Sequence, residues 1–307
     1  MLQTFFVIAP LFLIILGAAV VQKLARVPHS WERVLNAFAL NVGLPALIFS
    51  ALARTDVLFR DELDVVLLNS VFLVGSFIVS YILSRVFRLH KQARRTLFIC
   101  FAFGNIAYLG IPTLVAISGE AILSRVSLIV AVHLFWIFTI GIGYLSYTQG
   151  RKHHHVFREV IKFLVTNPLL LSVVGGILVA VYAIQIPDII MSSVDMLAAS
   201  VTPVVLVVIG LFIGSSKFGR IREWGPVSLF AILTLLVLPA LLLYGVRLFG
   251  YSSTVFSATI IEAAMPLAIT PFALSDKYNL NKSFIARAIV LSTILSIVTI
   301  PFWVTII

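Results

Sequence analysis

Charge is scarce in this chain. Asp, Glu, Lys and Arg make up 11% of its 307 residues, and 12 are acidic, against about 25% charged in an ordinary soluble domain. With 61% of residues hydrophobic, there is too little polar surface to cover a water-soluble fold. Cysteine is nearly missing too. The one present, Cys100, sits inside an apolar run, which excludes a disulfide framework and leaves a small core residue. No HExxH, GxSxG or phosphate-loop pattern occurs, so hydrolysis and nucleotide use have no visible equipment; neither enzyme activity nor a cofactor is expected. His153-His154-His155 lacks Cys or carboxylate partners at ligand spacing and reads as a solvated basic loop, so no metal is expected. No stretch is long and hydrophilic enough for a separate soluble domain.

What the chain does have is a succession of apolar runs. A bilayer-spanning helix needs about 20 mostly apolar residues, each rising about 1.5 Å through a hydrocarbon layer about 30 Å thick. Ten spans are predicted. The first five are Phe5–Val21, Val34–Leu52, Val65–Val86, Thr96–Ile117 and Val126–Tyr147; the second five are Asn167–Ile186, Val194–Ser215, Pro226–Leu248, Val255–Leu274 and Phe284–Ile306. In the first run Lys23 and Arg26 follow the apolar stretch and no cation precedes it, the wrong flank for a cleaved signal.

The net charge of +10 is spread among connections and forms no face or stripe, so it is read as topology and no nucleic acid is expected. Of the 22 Lys and Arg, only Arg54, Arg60, Arg125 and Arg247 fall in even-numbered connections. Cations are held on the cytoplasmic side. Both termini are therefore expected outside, or periplasmic if the membrane is a bacterial inner membrane.

Ten spans divide into two sets of five, residues 1–147 and 167–307, joined by a cytoplasmic loop over 148–166. An odd number per set inverts the second relative to the first, as in many secondary transporters. The separation of Pro45 from Pro203, in spans two and seven, differs by one residue from that of Pro112 and Pro271, in spans four and nine.

Spans four and nine are the interrupted ones. Span four contains Gly104-Asn105 and then Gly110-Ile111-Pro112; span nine contains Met265-Pro266 and then Thr270-Pro271. Proline removes a helix donor and glycine weakens a helix by about 1 kcal/mol relative to alanine, so each span is expected to unwind in its middle. Unwound backbone at that depth is tolerated only beside a cavity or against protein. Where two such breaks meet, half-helix N-termini favour a carboxylate and C-terminal carbonyls a cation or proton donor. Ordinary proline kinks are the plainer alternative.

Polar residues within spans narrow the site. Asn105 lies in the first break, where its amide can donate to an anionic oxygen or make an interhelical bond. Glu262 stands one turn before Pro266 with no cation in its own span, the setting of a proton carrier or gate. His133 in span five either passes protons or makes one structural hydrogen bond. Asn41, before Pro45 in span two, is a further candidate for the same cavity. Gly210 and Gly214 read as a helix-packing pair.

The stretches Asn41-Val-Gly-Leu-Pro-Ala-Leu-Ile-Phe49, Gly104-Asn105 to Gly110-Ile-Pro112, and Glu262-Ala-Ala-Met-Pro266 through Pro271-Phe-Ala-Leu-Ser-Asp-Lys-Tyr278 resemble the auxin efflux carrier family, and the likeness runs over nearly the whole chain. The resemblance implies an all-α polytopic membrane fold of ten helices, as two inverted five-helix repeats whose broken helices four and nine cross at the substrate site. It also implies a relation to sodium/proton antiporters and bile-acid symporters, and often a homodimer. In the plant carriers the crossover amide contacts the substrate carboxylate, which maps onto Asn105, and the ninth-helix crossover proline maps onto Pro266. Plant members have proline where this chain has Gly104, an amide where it has Glu262, and a long loop where it has Thr148–Lys162; these departures favour a short bacterial-type carrier over an auxin exporter.

The expectation is a secondary transporter in the plasma membrane that moves a small organic anion, a carboxylate, by alternating access. Asn105, Gly104, Gly110, Pro112, Pro266, Thr270, Pro271, Asn41 and Pro45 would form the crossover and binding site, with Glu262 and His133 as proton-coupling candidates. A sodium-coupled symporter of the bile-acid type and a membrane receptor or scaffold without transport are the rivals.

Overall fold

The computed structural model describes residues 2–55, 59–150, 152–216 and 223–307, with backbone alone at 59–61. Arg151, Lys217, Arg220 and Arg222, counted among the connection cations, lie outside the described residues, as does the side chain of Arg60.

The first half contains α1 (Leu2–Ala25), α2 (His29–Phe38), α3 (Leu44–Ala53), α4 (Phe59–Val86), α5 (Lys91–Ala102), α6 (Ile111–Ser118), α7 (Leu123–Trp136) and α8 (Gly143–Thr148). After α9 (His153–Thr166) come α10 (Pro168–Val181), α11 (Asp188–Ala199), α12 (Val201–Ser215), α13 (Trp224–Ile232), α14 (Leu238–Leu248), α15 (Ser257–Ala263), α16 (Thr270–Tyr278) and α17 (Lys282–Ile306). Among the described residues all regular structure is helical. Seven helical stretches among those residues are long and apolar enough to cross a membrane, or eight if the pair α9 and α10, bent by 55°, is one span. The stretches 91–118 and 257–278 are each interrupted.

Local chemistry explains the irregular turns. Wide, π-type turns occupy Ala39–Gly43, Ile106–Gly110 and Leu233–Val237, and each is followed two residues later by a proline: Pro45, Pro112 and Pro239. A proline ring clashes with the carbonyl four residues back. Here those carbonyls belong to Asn41, Tyr108 and Leu235, each inside its wide turn, which absorbs the clash without ending the helix.

The segment 148–166 is mostly helix, where a loop was expected. Its apolar residues Val156, Val160, Phe163 and Leu164 recur at helical spacing, Val160 is buried, and Phe163 stacks on Phe138 at 5.3 Å. The bend falls at Asn167, whose side chain accepts from the Leu169 and Leu170 amides and caps α10.

The two halves interlock. Helix α3 lies against α10 and α11, and α1 runs along α12. Gly210 and Gly214 admit that approach: a Cβ at Gly210 would meet the Ile15 carbonyl and stand 2.6 Å from Ala18 Cβ, and one at Gly214 would meet the Ala19 carbonyl and stand 2.7 Å from Gln22 Cβ.

Candidate functional site

The interruptions of 91–118 and 257–278 face each other. Helix α5 stops at Ala102 and α15 at Ala263, and the strands of backbone between their half-helices pair as one antiparallel bridge, Gly104 with Leu267. The Asn105 backbone N–H donates to the Pro266 carbonyl at 2.7 Å, and the Ala268 backbone N–H to the Phe103 carbonyl at 3.0 Å. The Leu267 amide donates to Ser292 Oγ on α17 at 3.0 Å. Buried backbone polar groups must find partners. Much of the backbone freed by the two breaks is thus satisfied against protein, by the opposite break and by α17, one of the two settings expected from the sequence.

That pairing leaves side chains as the reactive inventory. Asn105 is buried, and its Nδ2 has no hydrogen-bond partner among the described residues. Glu262 is 1% exposed, and neither carboxylate oxygen has a partner among the described residues. Its carboxyl packs directly against Gly110, where an added Cβ would stand 2.7 Å from the Glu262 carboxyl carbon. An ionised carboxylate without a partner is costly at such depth, so a group in this position either carries a proton or meets a cation.

Pro271 is buried in the first turn of α16, where the missing amide leaves no intrahelical bond unmade, and Pro112 is buried just after the wide turn that leads into α6. Pro266 is buried in the bridge itself, and Thr270, half-buried, opens α16. The structure therefore brings Gly104, Asn105, Gly110 and Pro112 together with Glu262, Pro266, Thr270 and Pro271 on two facing interrupted segments.

His133 joins them through a small cavity of about 20 Å³, room for about one water, lined among others by Gly104, Glu262, Met265 and His133. His133 Nε2 lies 3.0 Å from Asn69 Oδ1, while Asn69 Nδ2 donates to Thr259 Oγ1 at 2.9 Å. Nδ1 of the imidazole has no partner among the described residues. The histidine thus makes the structural bond that sequence weighed as one alternative, and still borders the cavity that Glu262 borders.

Asn41 and Pro45 do not line the small cavity. Asn41 is exposed and its Nδ2 donates to the Ala37 carbonyl of its own helix at 2.7 Å; half-buried Pro45 shapes the wide turn of the second run. Asn69, Thr259 and Ser292 were missed. Each is a polar residue within an apolar run, the signal that picked out Asn105, but nothing in the sequence pairs one with another.

A family model described as "Membrane transport protein" matches residues 4–304. The chain is 23% identical over 282 residues to an uncharacterized transporter of Methanocaldococcus jannaschii, covering 88% of each chain. It is 24% identical over 217 residues to a protein of Rhizobium meliloti provisionally named a malonate transporter, covering 70% of this chain and 68% of that one.

Proposed function

The chain belongs to the membrane transport protein family, and on that premise we propose that it is a secondary transporter moving a small carboxylate through the crossing of its two interrupted segments. The observation that carries the reading is the pair of unspent polar side chains at that crossing, the Asn105 amide and the Glu262 carboxyl. An amide N–H beside half-helix N-termini recognises an anionic oxygen, and a carboxyl that alternately takes and releases a proton couples its passage to a proton gradient. Counting α10 and each interrupted segment as one span beside the seven long helices gives ten. Five per half makes the second half an inverted copy of the first, with both termini outside. The extensive packing of α1, α2 and α3 with α10, α11 and α12 supports one bundle that stays together while the other rocks.

The provisional name of the Rhizobium relative makes malonate the first substrate to try. In proteoliposomes loaded with unlabelled malonate, the wild type is expected to accumulate labelled malonate by counterflow without sodium. Asn105→Ala should slow it about tenfold or more, the worth of a charge-assisted hydrogen bond. Glu262→Gln should retain exchange but lose its acceleration by a proton gradient. Equal flux from wild type and Asn105→Ala would discard the site; dependence on sodium would favour the bile-acid type of coupling; no flux of any short carboxylate would favour a receptor.

A further inference from the structure

A second, larger cavity lies away from the crossing. It is a groove of about 650 Å³ between the α4–α5 turn on one side and the first turns of α13 and α17 on the other. Its walls are mostly apolar, with Leu83, Phe87, Leu229 and Phe284 prominent, and Phe87 and Leu229 are exposed. A membrane chain turns such side chains to lipid.

The groove also holds a cation that the apolar walls do not explain. Arg287 lines it and is 7% exposed. Its Nη1 donates to half-exposed Glu223, while its Nε, buried, has no hydrogen-bond partner among the described residues. Guanidinium carries five N–H donors, and one carboxylate does not satisfy them. Further positive charge borders the same end: the turn from Arg85 to Arg95 has five Arg and Lys and no carboxylate, with Arg88 and Lys91 exposed and His90 lining the groove.

A ligand that uses both features must be an anion with several oxygens and a long apolar tail. A small carboxylate leaves the walls unused, a lipid without phosphate leaves the guanidinium unused, and a zwitterionic phospholipid sets its own cation against the basic rim. We propose that the groove between the α4–α5 turn, α13 and α17 binds an anionic phospholipid, its phosphate at Arg287 and the basic rim and an acyl chain along Leu229 and Phe284. Basic pockets between spans on the cation-rich side of a membrane recognise anionic headgroups in this way. The inner wall of the groove, Phe101 and Phe230, is also the outer wall of the small cavity beside Glu262, and the two rings meet edge-to-face at 5.5 Å. An acyl chain in the groove therefore braces the crossing from behind.

The inference needs the membrane placement but not the transport reading, and its test reads binding, not flux. Purified protein is titrated with phosphatidylglycerol or phosphatidylcholine and bound lipid counted by native mass spectrometry. Phosphatidylglycerol should bind about tenfold more tightly, given about 1 kcal/mol for each nearby cation. Arg287→Gln should bring it to the phosphatidylcholine level. Leu229→Trp, which fills the groove from an exposed position and leaves the ion pair in place, should do the same while preserving elution volume and helical content. Glycerol phosphate, the headgroup without chains, should not compete. Equal binding of the two lipids, a preference that survives Leu229→Trp, or competition by glycerol phosphate as strong as by the whole lipid would each overturn the proposal, the last by identifying a site for free anions.

Discussion

At Gly110 the backbone of one interrupted segment comes so close to the other that only hydrogen fits between its Cα and the Glu262 carboxyl. At Gly104, in the bridge itself, an added Cβ would find its nearest neighbours at 3.7 Å, ordinary contact. The two glycines should therefore part company on substitution. Gly110→Ala is expected to cost about 1–3 kcal/mol of stability, as overpacking does, and to slow transport with it; Gly104→Ala should be close to neutral for stability. Thermal melts of the two variants in one detergent check this, and Glu262→Ala combined with Gly110→Ala should recover part of the loss. Equal melting of the two glycine variants would mean that the carboxyl moves aside freely. Residue chemistry was legible this far because a glycine, an amide or a carboxyl inside an apolar run has few bland explanations. Asn41 has the same amide as Asn105 but already donates one of its two N–H groups to the Ala37 carbonyl. Sequence identifies a donor; geometry decides whether the donor is spent.

Elements follow the same division. Two interrupted helices were readable from paired Gly and Pro positions, because proline cannot donate and its ring displaces a carbonyl. That the freed backbone would pair across the crossing was not readable, since Gly104 and Leu267 lie far apart in sequence and share no pattern. The wide turns before Pro45 and Pro239 kept those helices continuous, so proline alone does not mark a break. The helix pair α1 and α12 carries its own test. With carbonyls of α1 facing Gly210 and Gly214, Gly210→Leu must force the two helices apart, whereas Leu at Gly245, with open space where its Cβ would go, should not. The first is expected to destabilise by about 3 kcal/mol or more, beyond the usual range for a single substitution, and the second by less than about 1 kcal/mol. Comparable melting of the two would show that α1 and α12 can slide without cost.

At the scale of the whole molecule, one polar cluster ties the halves at the end where most cations lie. Glu159 on α9 accepts from Ser146 Oγ on α8 at 2.6 Å and from Tyr278 Oη on α16 at 3.0 Å, and pairs with Lys277 Nζ at 2.7 Å. Burial by itself would push the Glu159 carboxyl up, but the hydrogen bonds from Lys277, Ser146 and Tyr278 and the Lys277 charge hold it down at about 2, against an ordinary value of 4.5. A carboxyl held below its unfolded value adds stability that is complete above about pH 4.5 and is lost as pH falls toward 2. Glu159→Gln should therefore melt below the wild type at neutral pH, by about 1 kcal/mol or less because Lys277 is partly open to solvent. The gap should narrow as the pH is lowered from 4.5 toward 3. A gap that stays constant over that interval would show that the carboxylate charge contributes nothing and that only its hydrogen bonds matter. If the two bundles rock during transport, the cluster either opens in each cycle or moves as a body. Glu159→Gln discriminates between these, since loosening a tie that must open speeds turnover, while loosening one that rides along lowers stability and leaves turnover unchanged.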